Sequence, residues 1–273
     1  MALMRRDAGG AARRWTRLAL LVAGMLAAGG AAAASEAENA ALQDSDARDP
    51  GFLFGRPGNS VAVHWLWYRA RAESDVHAFV TDHLTLEPRD FDAAGLGLDL
   101  GFTLTPRIDL HAGFDYARTT ADSESRHFIG EDGLPFEQHT ALSQAALTAS
   151  LSVALAPRGR AIGQYVWIPA AVVPYVGAGG GFLRYGLDQF GEFVDEITLF
   201  SFEIPPEQSL QSNGWTPTGH LFGGVDIRLT QRLFLTAEAR YVLAVAEPSL
   251  DFAEFESIDL SGLRVATGIR FTF

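Results

Sequence analysis

The sequence predicts an all-β fold, an eight-stranded antiparallel up-and-down transmembrane β-barrel with short periplasmic turns and long extracellular loops. Apolar side chains alternate with small or polar ones along eight segments, which is the period of a β-strand with two different faces. Shorter turns at one end of these segments and long loops at the other end are typical of an outer-membrane barrel. The last segment, Leu260–Phe273, has an apolar face that ends on an aromatic residue. We expect it to close the barrel by pairing with the first and seventh strands.

Residues 1–34 are predicted to be a signal peptide for export. Five arginines precede a short apolar run, Leu18–Leu26, and Ala32-Ala33-Ala34 before Ser35 has the small side chains of a cleavage site. The apolar run is too short and too rich in Gly and Ala for a membrane-spanning helix. The following stretch begins acidic and without periodicity. We therefore expect a mobile acidic periplasmic tail over residues 35–58 and a barrel domain over residues 59–273.

Charge and cysteine content exclude several classes of function. The chain has a net charge of −12, and loss of the signal peptide, with its five Arg and one Asp, lowers this to about −16. Such a balance argues against nucleic acid as a partner. The chain has no Cys, which removes disulfides, thiolate metal sites and Cys nucleophiles. We predict no cofactor.

The eight predicted strands are amphipathic. In the second strand, for example, Leu98 and Leu100 alternate with Gly97, Asp99 and Gly101. No segment has a sustained helical period, so the sequence predicts no helix. The predicted strands are Ser60–Arg71, Ala94–Leu104, Arg107–Arg118, Ala141–Leu155, Ala171–Tyr185, Thr218–Leu229, Arg232–Val242 and Leu260–Phe273.

The connections between the predicted strands fall into two groups. Thr105-Pro106-Arg107 and Thr230-Gln231-Arg232 are tight turns, and residues 156–169 form a connection of middling length. The long connections are Ala72–Phe91, Thr119–Thr140, Gly186–Pro217 and Leu243–Asp259. An even number of strands with this alternation places both chain termini at the periplasmic end.

An internal repeat fixes the depth of two hairpins. Leu104–Tyr116 and Leu229–Tyr241 share the pattern Leu-Thr-x-Arg-x-x-Leu-x-Ala-x-x-x-Tyr. Nine residues from Arg to Tyr climb about 23 Å along a tilted strand, close to the height of the apolar band of an outer-membrane barrel. The pattern predicts Arg107 and Arg232 at the periplasmic interface, with the two tyrosines in the extracellular aromatic girdle.

The polar face of the strands predicts a filled lumen. A soluble eight-stranded cup would carry its apolar face inside and many charged residues outside, whereas here the polar face consists largely of Gly, Ala, Ser and Thr with spaced charges. Small residues suit the narrow interior of an eight-stranded barrel, and charges buried there must be paired. We predict an ion-pair network that plugs the lumen, formed by Asp99, Asp109, Asp115, Asp226, Arg228, Glu238, Arg240, Arg264 and Arg270.

Three stretches resemble the small outer-membrane β-barrel superfamily typified by the OmpA transmembrane domain, OmpX and OmpW. They are Val173-Pro-Tyr-Val-Gly-Ala-Gly-Gly-Gly181, Leu229-Thr-Gln-Arg232 with Glu238-Ala-Arg-Tyr241, and Leu260-Ser-Gly-Leu-Arg264 with Gly268-Ile-Arg-Phe-Thr-Phe273. The resemblance implies the outer membrane of a Gram-negative-type bacterium, with membrane lipid and lipopolysaccharide around the barrel. It also implies that Phe271 and Phe273 form a signal for the barrel-assembly machinery. It favours no subgroup, and the extracellular ligand stays unknown.

Catalytic and metal-binding alternatives are weaker. The resemblance admits a lipid A-modifying enzyme with a His and a Ser near the outer rim, but His139 and Ser143 would lie about 13 Å apart along one strand, beyond hydrogen-bond reach. A second set surrounds His127 in a loop. Neither this set nor the His and Asp residues of the first long loop has a recognisable ligand spacing. The residues of these two sets are Ser123, Glu124, Ser125, His127 and Glu131, and Asp75, His77, Asp82 and His83. We expect no enzyme and no metal site.

The last two long loops are both acidic and aromatic. They could form a binding surface, or the strands could extend beyond the membrane as a canopy with Phe packed between them, which we favour. The residues are Phe190, Glu192, Phe193, Asp195, Glu196, Phe200, Phe202 and Glu203, then Phe252, Glu254, Phe255, Glu256 and Asp259. The sequence thus favours a plugged barrel with a structural or surface-interaction role, and the alternative is an OmpW-like narrow channel for small hydrophobic compounds.

Overall fold

The computed structural model contains a closed barrel of eight antiparallel strands. It describes residues 51–129, 134–192, 207–252 and 254–273. The predicted signal peptide, most of the predicted tail and the aromatic residues between 193 and 206 lie outside these ranges. None of the helices within them has the length and apolarity needed to cross a bilayer.

Eight of the thirteen strands in the described ranges form the barrel wall. They are β2 (Asn59–Ala70), β3 (Ala93–Thr103), β4 (Ile108–Ile129), β5 (Pro135–Ala154), β8 (Val172–Glu192), β9 (Glu207–Arg228), β10 (Leu233–Leu243) and β13 (Gly262–Thr272). Their order around the wall is β2–β3–β4–β5–β8–β9–β10–β13, and β13 pairs with both β10 and β2. The predicted closure by the last segment is therefore confirmed.

The remaining elements lie at the two ends of the barrel. At the periplasmic end, β1 (Leu53–Phe54), β6 (Gly159–Ile162) and β7 (Val166–Pro169) form a three-stranded sheet. At the extracellular end lie helix α1 (Asp75–His83), two 3-10 turns, Pro88–Phe91 and Leu250–Phe252, and the strand pair β11 (Val245–Ala246) and β12 (Ile258–Asp259).

The wall has an apolar exterior and a polar interior, as the period of two predicts. On β3, the side chains of Leu96, Leu98, Leu100 and Phe102 are 41–56 % exposed, whereas the intervening Asp99 is 9 % exposed. An apolar outer band around a polar lumen is the inverse of a soluble barrel and matches a lipid environment. The chain forms an outer-membrane-type β-barrel.

The structure corrects the sequence at both ends of the barrel. Strands β4, β5, β8 and β9 each contain 20 to 22 residues, so two hairpins continue well beyond the membrane. The long hairpin of β8 and β9 agrees with the favoured interpretation of extended strands, whereas the hairpin of β4 and β5 replaces much of the predicted loop Thr119–Thr140. Helix α1 was not predicted, because its nine residues are too few to show a helical period. Leu53–Phe54 of the predicted mobile tail form β1 instead, because β7 offers them a strand edge.

Candidate functional site: the barrel lumen

The centre of the lumen is organised around Asp115 on β4. Its carboxylate lies 3.3 Å from Nη1 of Arg264, 3.7 Å from Nη1 of Arg240 and 2.9 Å from Nε2 of His64. Arg240 also contacts Glu238 at 2.8 Å. Asp115 and Arg264 are 6 % and 5 % exposed, so each charge is separated from water and depends on its partners.

A second group of charges lies below this centre, toward the periplasm. Nη1 of Arg270 donates to Asp226 at 2.9 Å, and the hydroxyl of Thr236 donates to the other oxygen of the same carboxylate at 2.8 Å. The guanidinium of Arg270 also lies 5.6 Å from the ring centroid of Tyr175, whose hydroxyl donates to Glu238 at 3.0 Å. Tyr175 therefore joins the two groups of charges.

Two histidines complete the network, and the sequence did not indicate the partners of either. His64 on β2 reaches Asp115, and His111 on β4 contacts Asp99 and the hydroxyl of Ser152, each at 2.8 Å. The period of two places both histidines on the inner face, but it does not indicate which carboxylate each would meet.

A small residue makes room for the central pair. A Cβ atom at Gly97 would lie 2.1 Å from Nε2 of His64 and 2.3 Å from Oδ1 of Asp115. Such distances are far below van der Waals contact, so a side chain at Gly97 would displace the pair. The interior glycines thus define the space in which the charged side chains meet.

The structure brings together most of the predicted network, with two differences. Asp109 pairs with Arg158 from the connection after β5, a residue outside the predicted set. Arg228 donates from Nη1 to the backbone carbonyl of Pro169 at 2.5 Å and, among the described residues, forms no ion pair. Arg228 lies at the last position of β9, and Pro169 lies at the last position of β7. The guanidinium of Arg228 therefore binds the end of β7 and not the lumen network.

The extracellular mouth is closed by an apolar cluster, here called the extracellular cap. Val76 and Val80 of α1 point into the barrel and pack against the inner faces of β5 and β8 and against the loop before β13. Asp75 fixes the helix to that loop, because its carboxylate accepts backbone N–H groups from Glu256 and Ser257. The buried members of the cap are Val76, Val80, Leu84, Leu86, Phe91, Leu142, Ala146, Leu183, Tyr185, Leu187, Val242, Ala244, Ala246, Phe252, Ile258 and Leu260.

The periplasmic mouth is crossed by residues 52–58, here called the periplasmic strap. The strap precedes β2 in the chain, and its strand β1 pairs with β7. The hairpin of β6 and β7 connects β5 to β8 on the wall opposite β2. Nη2 of Arg56 donates to the carbonyls of Pro106 at 2.9 Å and Thr105 at 3.3 Å, and its guanidinium lies 5.4 Å from the Trp167 ring centroid. The strap and Trp167 thus cover a polar chamber at the lower end of the lumen.

The candidate catalytic and metal-ligating residues are dispersed. His139 pairs with Asp122 at 2.5 Å, and the hydroxyl of Ser143 donates to the carbonyl of Gly186. His77 is buried in the extracellular cap, where its Nδ1 lies 2.8 Å from the Ser74 hydroxyl. Within the described ranges, no three His, Asp or Glu side chains are placed to hold a metal ion. The side chain of His127 and residue Glu131 lie outside the described residues.

Burial changes the titration of His77. Its ring lies 4.7 Å from that of Phe91 within the cap. Removal from water disfavours the imidazolium and lowers the pKa of His77 to about 4, although Asp259 and Asp75 oppose the shift. At neutral pH His77 is therefore an uncharged part of the cap.

No protein-family model and no curated protein matches the sequence. Among solved structures, the chain is similar to the outer membrane protein OprG from Pseudomonas aeruginosa, with 13% identity and a TM-score of 0.47 over 81% of this chain and 98% of that one. It is also similar to Neisserial surface protein A, with 12% identity and a TM-score of 0.45 over 80% and 99% of the two chains. It is similar as well to Ail, the attachment invasion locus protein of Yersinia pestis, with 11% identity and a TM-score of 0.44 over 80% of this chain and 100% of that one.

Proposed function

We propose that this protein is a closed outer-membrane barrel with a structural or surface-interaction role, whose lumen is plugged. The observation that carries the proposal is the succession of three barriers along one axis. The extracellular cap fills the upper mouth with apolar side chains, the ion pairs around Asp115 occupy the centre, and the periplasmic strap crosses the lower mouth. An ion entering from either side meets packed or paired side chains.

Planar-bilayer conductance of the purified barrel tests this proposal. Wild-type protein is expected to insert without producing unitary current steps, because under this proposal the three barriers interrupt the path of water and ions through the lumen. Insertion has to be verified independently, by heat-modifiable migration of the protein recovered from the bilayer lipid. Clear unitary steps from inserted wild-type protein would overturn the plugged-barrel proposal.

A second candidate function is supported by the apolar character of the upper lumen. A small cavity beside α1 is lined by Val76, Val80, Phe91, Leu142 and Leu187, among others. If α1 moved, this region would offer an apolar path for a small hydrophobic compound. Uptake of a hydrophobic fluorescent probe into vesicles distinguishes the two functions, with Val80→Trp as the variant that fills the cavity. Probe uptake above that of empty vesicles, lost in Val80→Trp, would favour the channel.

We also propose that the last strand carries the assembly signal. Phe273 binds the barrel through its backbone, since its carbonyl accepts the N–H groups of Gly58 and Asn59 and its own N–H donates to Asn59. Phe273 is 54 % exposed, as is expected of a residue that another protein recognises, and its ring stacks on that of Phe271 with centroids 6.2 Å apart.

Replacement of the ring separates recognition from stability. Phe273→Ala keeps the three backbone hydrogen bonds, so we expect near-normal stability of the refolded barrel but slower insertion by purified assembly machinery. Deletion of Phe273 removes the bonds as well and should affect both. Equal insertion rates of Phe273→Ala and wild type would contradict the assembly role.

A further inference from the structure

Three arginines point outward from the barrel wall near its extracellular end. Arg69 on β2, Arg118 on β4 and Arg184 on β8 are all exposed. In the part of the chain that the structure describes, none of them has an ion-pair or hydrogen-bond partner for its guanidinium. They differ in this from Arg240, Arg264 and Arg270, which point inward and are paired.

The strand registers place the three arginines at one height. From Trp67 on β2, the paired residues lead through β3, β4 and β5 to Gly186 on β8, and in the other direction through β13, β10 and β9 to Val176. These two positions are ten residues apart on one strand. The register therefore shifts by ten residues around the eight strands. Each step from one strand to the next, going from β2 through β3 toward β8, raises the paired position toward the extracellular end by slightly more than one residue.

Crossing two strands raises the paired position by about the same height as moving two residues up one strand. Trp67 pairs with Ala94, which pairs with Arg118, and Arg69 lies two residues above Trp67. In the same way, Tyr116 pairs with Ala145, which pairs with Arg184, and Arg118 lies two residues above Tyr116. Consecutive arginines thus differ in height by only about 1 Å and are separated laterally by two strands, roughly 10 Å. We call them the arginine arc.

The surroundings of the arginine arc favour a ligand at the membrane surface. Ala94 and Ala145 lie between the arginines and leave shallow notches in the wall, and the exposed rings of Trp67 and Tyr116 lie directly below. Such aromatic rings occupy the headgroup level of a bilayer. Beyond Arg184, its cross-strand partner Trp215 on β9 is apolar, and so are the outward residues Leu243 on β10 and Leu263 on β13. The positive charge is therefore confined to half of the circumference.

We infer that the arginine arc binds the phosphate groups of a phosphorylated glycolipid in the outer leaflet. This inference rests on the proposed role of the protein as an outer-membrane barrel with a surface function. Guanidinium groups form bidentate, charge-assisted hydrogen bonds with phosphate, and these bonds are strong where water is partly excluded. The spacing lets a headgroup with two phosphates contact two neighbouring arginines while its acyl chains cover the apolar wall below.

Binding of bis-phosphorylated lipid A to the full barrel in phosphatidylcholine nanodiscs tests the inference. Arg69, Arg118 and Arg184 are changed to Gln singly and together, and lipid A retained on the protein is counted by native mass spectrometry. We expect the triple variant to lose binding at least about tenfold, because each charge-assisted hydrogen bond contributes enough for that factor. Arg118→Gln should have the largest single effect, because it neighbours both other arginines.

A matched control keeps the loss of charge but moves it to the other interface. Arg107, Arg160 and Arg232 are exposed at the periplasmic end, and their triple Gln variant should bind lipid A as wild type does. Dephosphorylated lipid A should bind weakly to wild type and be insensitive to the arc substitutions. Equal lipid A binding by wild type and the arc triple variant would overturn the inference, as would an equal loss in the control. Conductance does not depend on these residues, so failure of the inference and failure of the plugged barrel are separate outcomes.

Discussion

Asp115 shows what a single charged residue does inside this barrel. Three positively charged or titratable side chains converge on its carboxylate, from β2, β10 and β13. Three separate strands are thus connected to β4 by one side chain, across the lumen rather than along the wall. Removing the carboxylate charge would leave the buried Arg264 without its ion-pair partner.

Asp115→Asn is expected to destabilise the barrel strongly. Breaking a buried ion pair by neutralising one partner costs roughly 3–5 kcal/mol, and the amide would offer Arg264 only a neutral acceptor. The measurement is the free energy of unfolding in urea with the barrel in lipid vesicles. Asp122→Asn, which removes an exposed partner of His139, is the matched control and should cost less than about 1 kcal/mol.

His77 makes the extracellular cap sensitive to acid. The ring is neutral in the cap with a pKa of about 4, against 6.5 as its ordinary value. Between these values the unfolded state binds more protons than the folded state, so stability falls as the pH drops from about 6.5 to about 4. The loss can reach about 3 kcal/mol at pH 4 and below.

NMR titration of the His77 ring in micelles checks the shift directly. A titration midpoint near 4 is expected. His77→Gln should remove the corresponding part of the acid dependence of unfolding. A His77 midpoint at its ordinary value would show that the ring is open to solvent.

At the scale of elements, the two long hairpins raise the question of their free edges. β9 continues beyond the end of β10. The upper part of β9 pairs with β8 on one side, but its other side is an edge without a strand of the barrel wall. The N–H groups of Gln211 and Asn213 donate to Asp251 and to the hydroxyl of Ser249. Side chains from the last loop thus occupy a strand edge that would otherwise pair with another chain.

The periplasmic strap is held by few contacts, and Arg56 supplies the most directional ones. Arg56→Ala removes two hydrogen bonds to the turn after β3 and the contact with Trp167. We expect the strap to open more often, with proteolytic cleavage within residues 52–58 accelerated about tenfold. Cleavage is followed by mass spectrometry in vesicles that expose the periplasmic end. Arg160→Ala in the neighbouring hairpin should leave the rate unchanged.

The whole molecule has its barriers in series. Opening one leaves the others intact, so neither strap deletion nor neutralisation of the central pair alone creates a continuous path. We expect variants lacking residues 52–57 of the strap, and the double variant Asp115→Ala with Arg264→Ala, to remain without unitary conductance when tested separately. Only their combination with a cap variant should produce current steps. Conductance from strap deletion alone would show that the centre and the cap do not seal.

The sequence by itself determined the wall and the contents of the lumen. Side chains along an extended backbone point alternately to the two faces of the sheet. The position of Asp99 between Leu98 and Leu100 is therefore enough to predict that it faces the lumen while the two leucines face outward. The same alternation predicted Asp115, Arg264 and Arg270 on the inner face of the barrel, where they are buried, and the leucines on the outer face, where they are exposed. The boundaries at the periplasmic turns followed from short, polar connections.

Only the tertiary structure decided the partners and the closures. Which carboxylate meets His64 or Arg264 depends on the ten-residue stagger of the whole ring, and that stagger appears in no single strand. Helix α1 forms because Val76 and Val80 find an apolar mouth to fill, and Leu53–Phe54 form β1 because β7 presents an edge. Both segments are too short for their hydrophobic pattern to predict a helix or a strand. The alternation of side chains is a local property of the chain, whereas strand register and the packing of the terminal segments are properties of the closed barrel. The three barriers and the arginine arc depend on register and packing, so only the tertiary structure shows them.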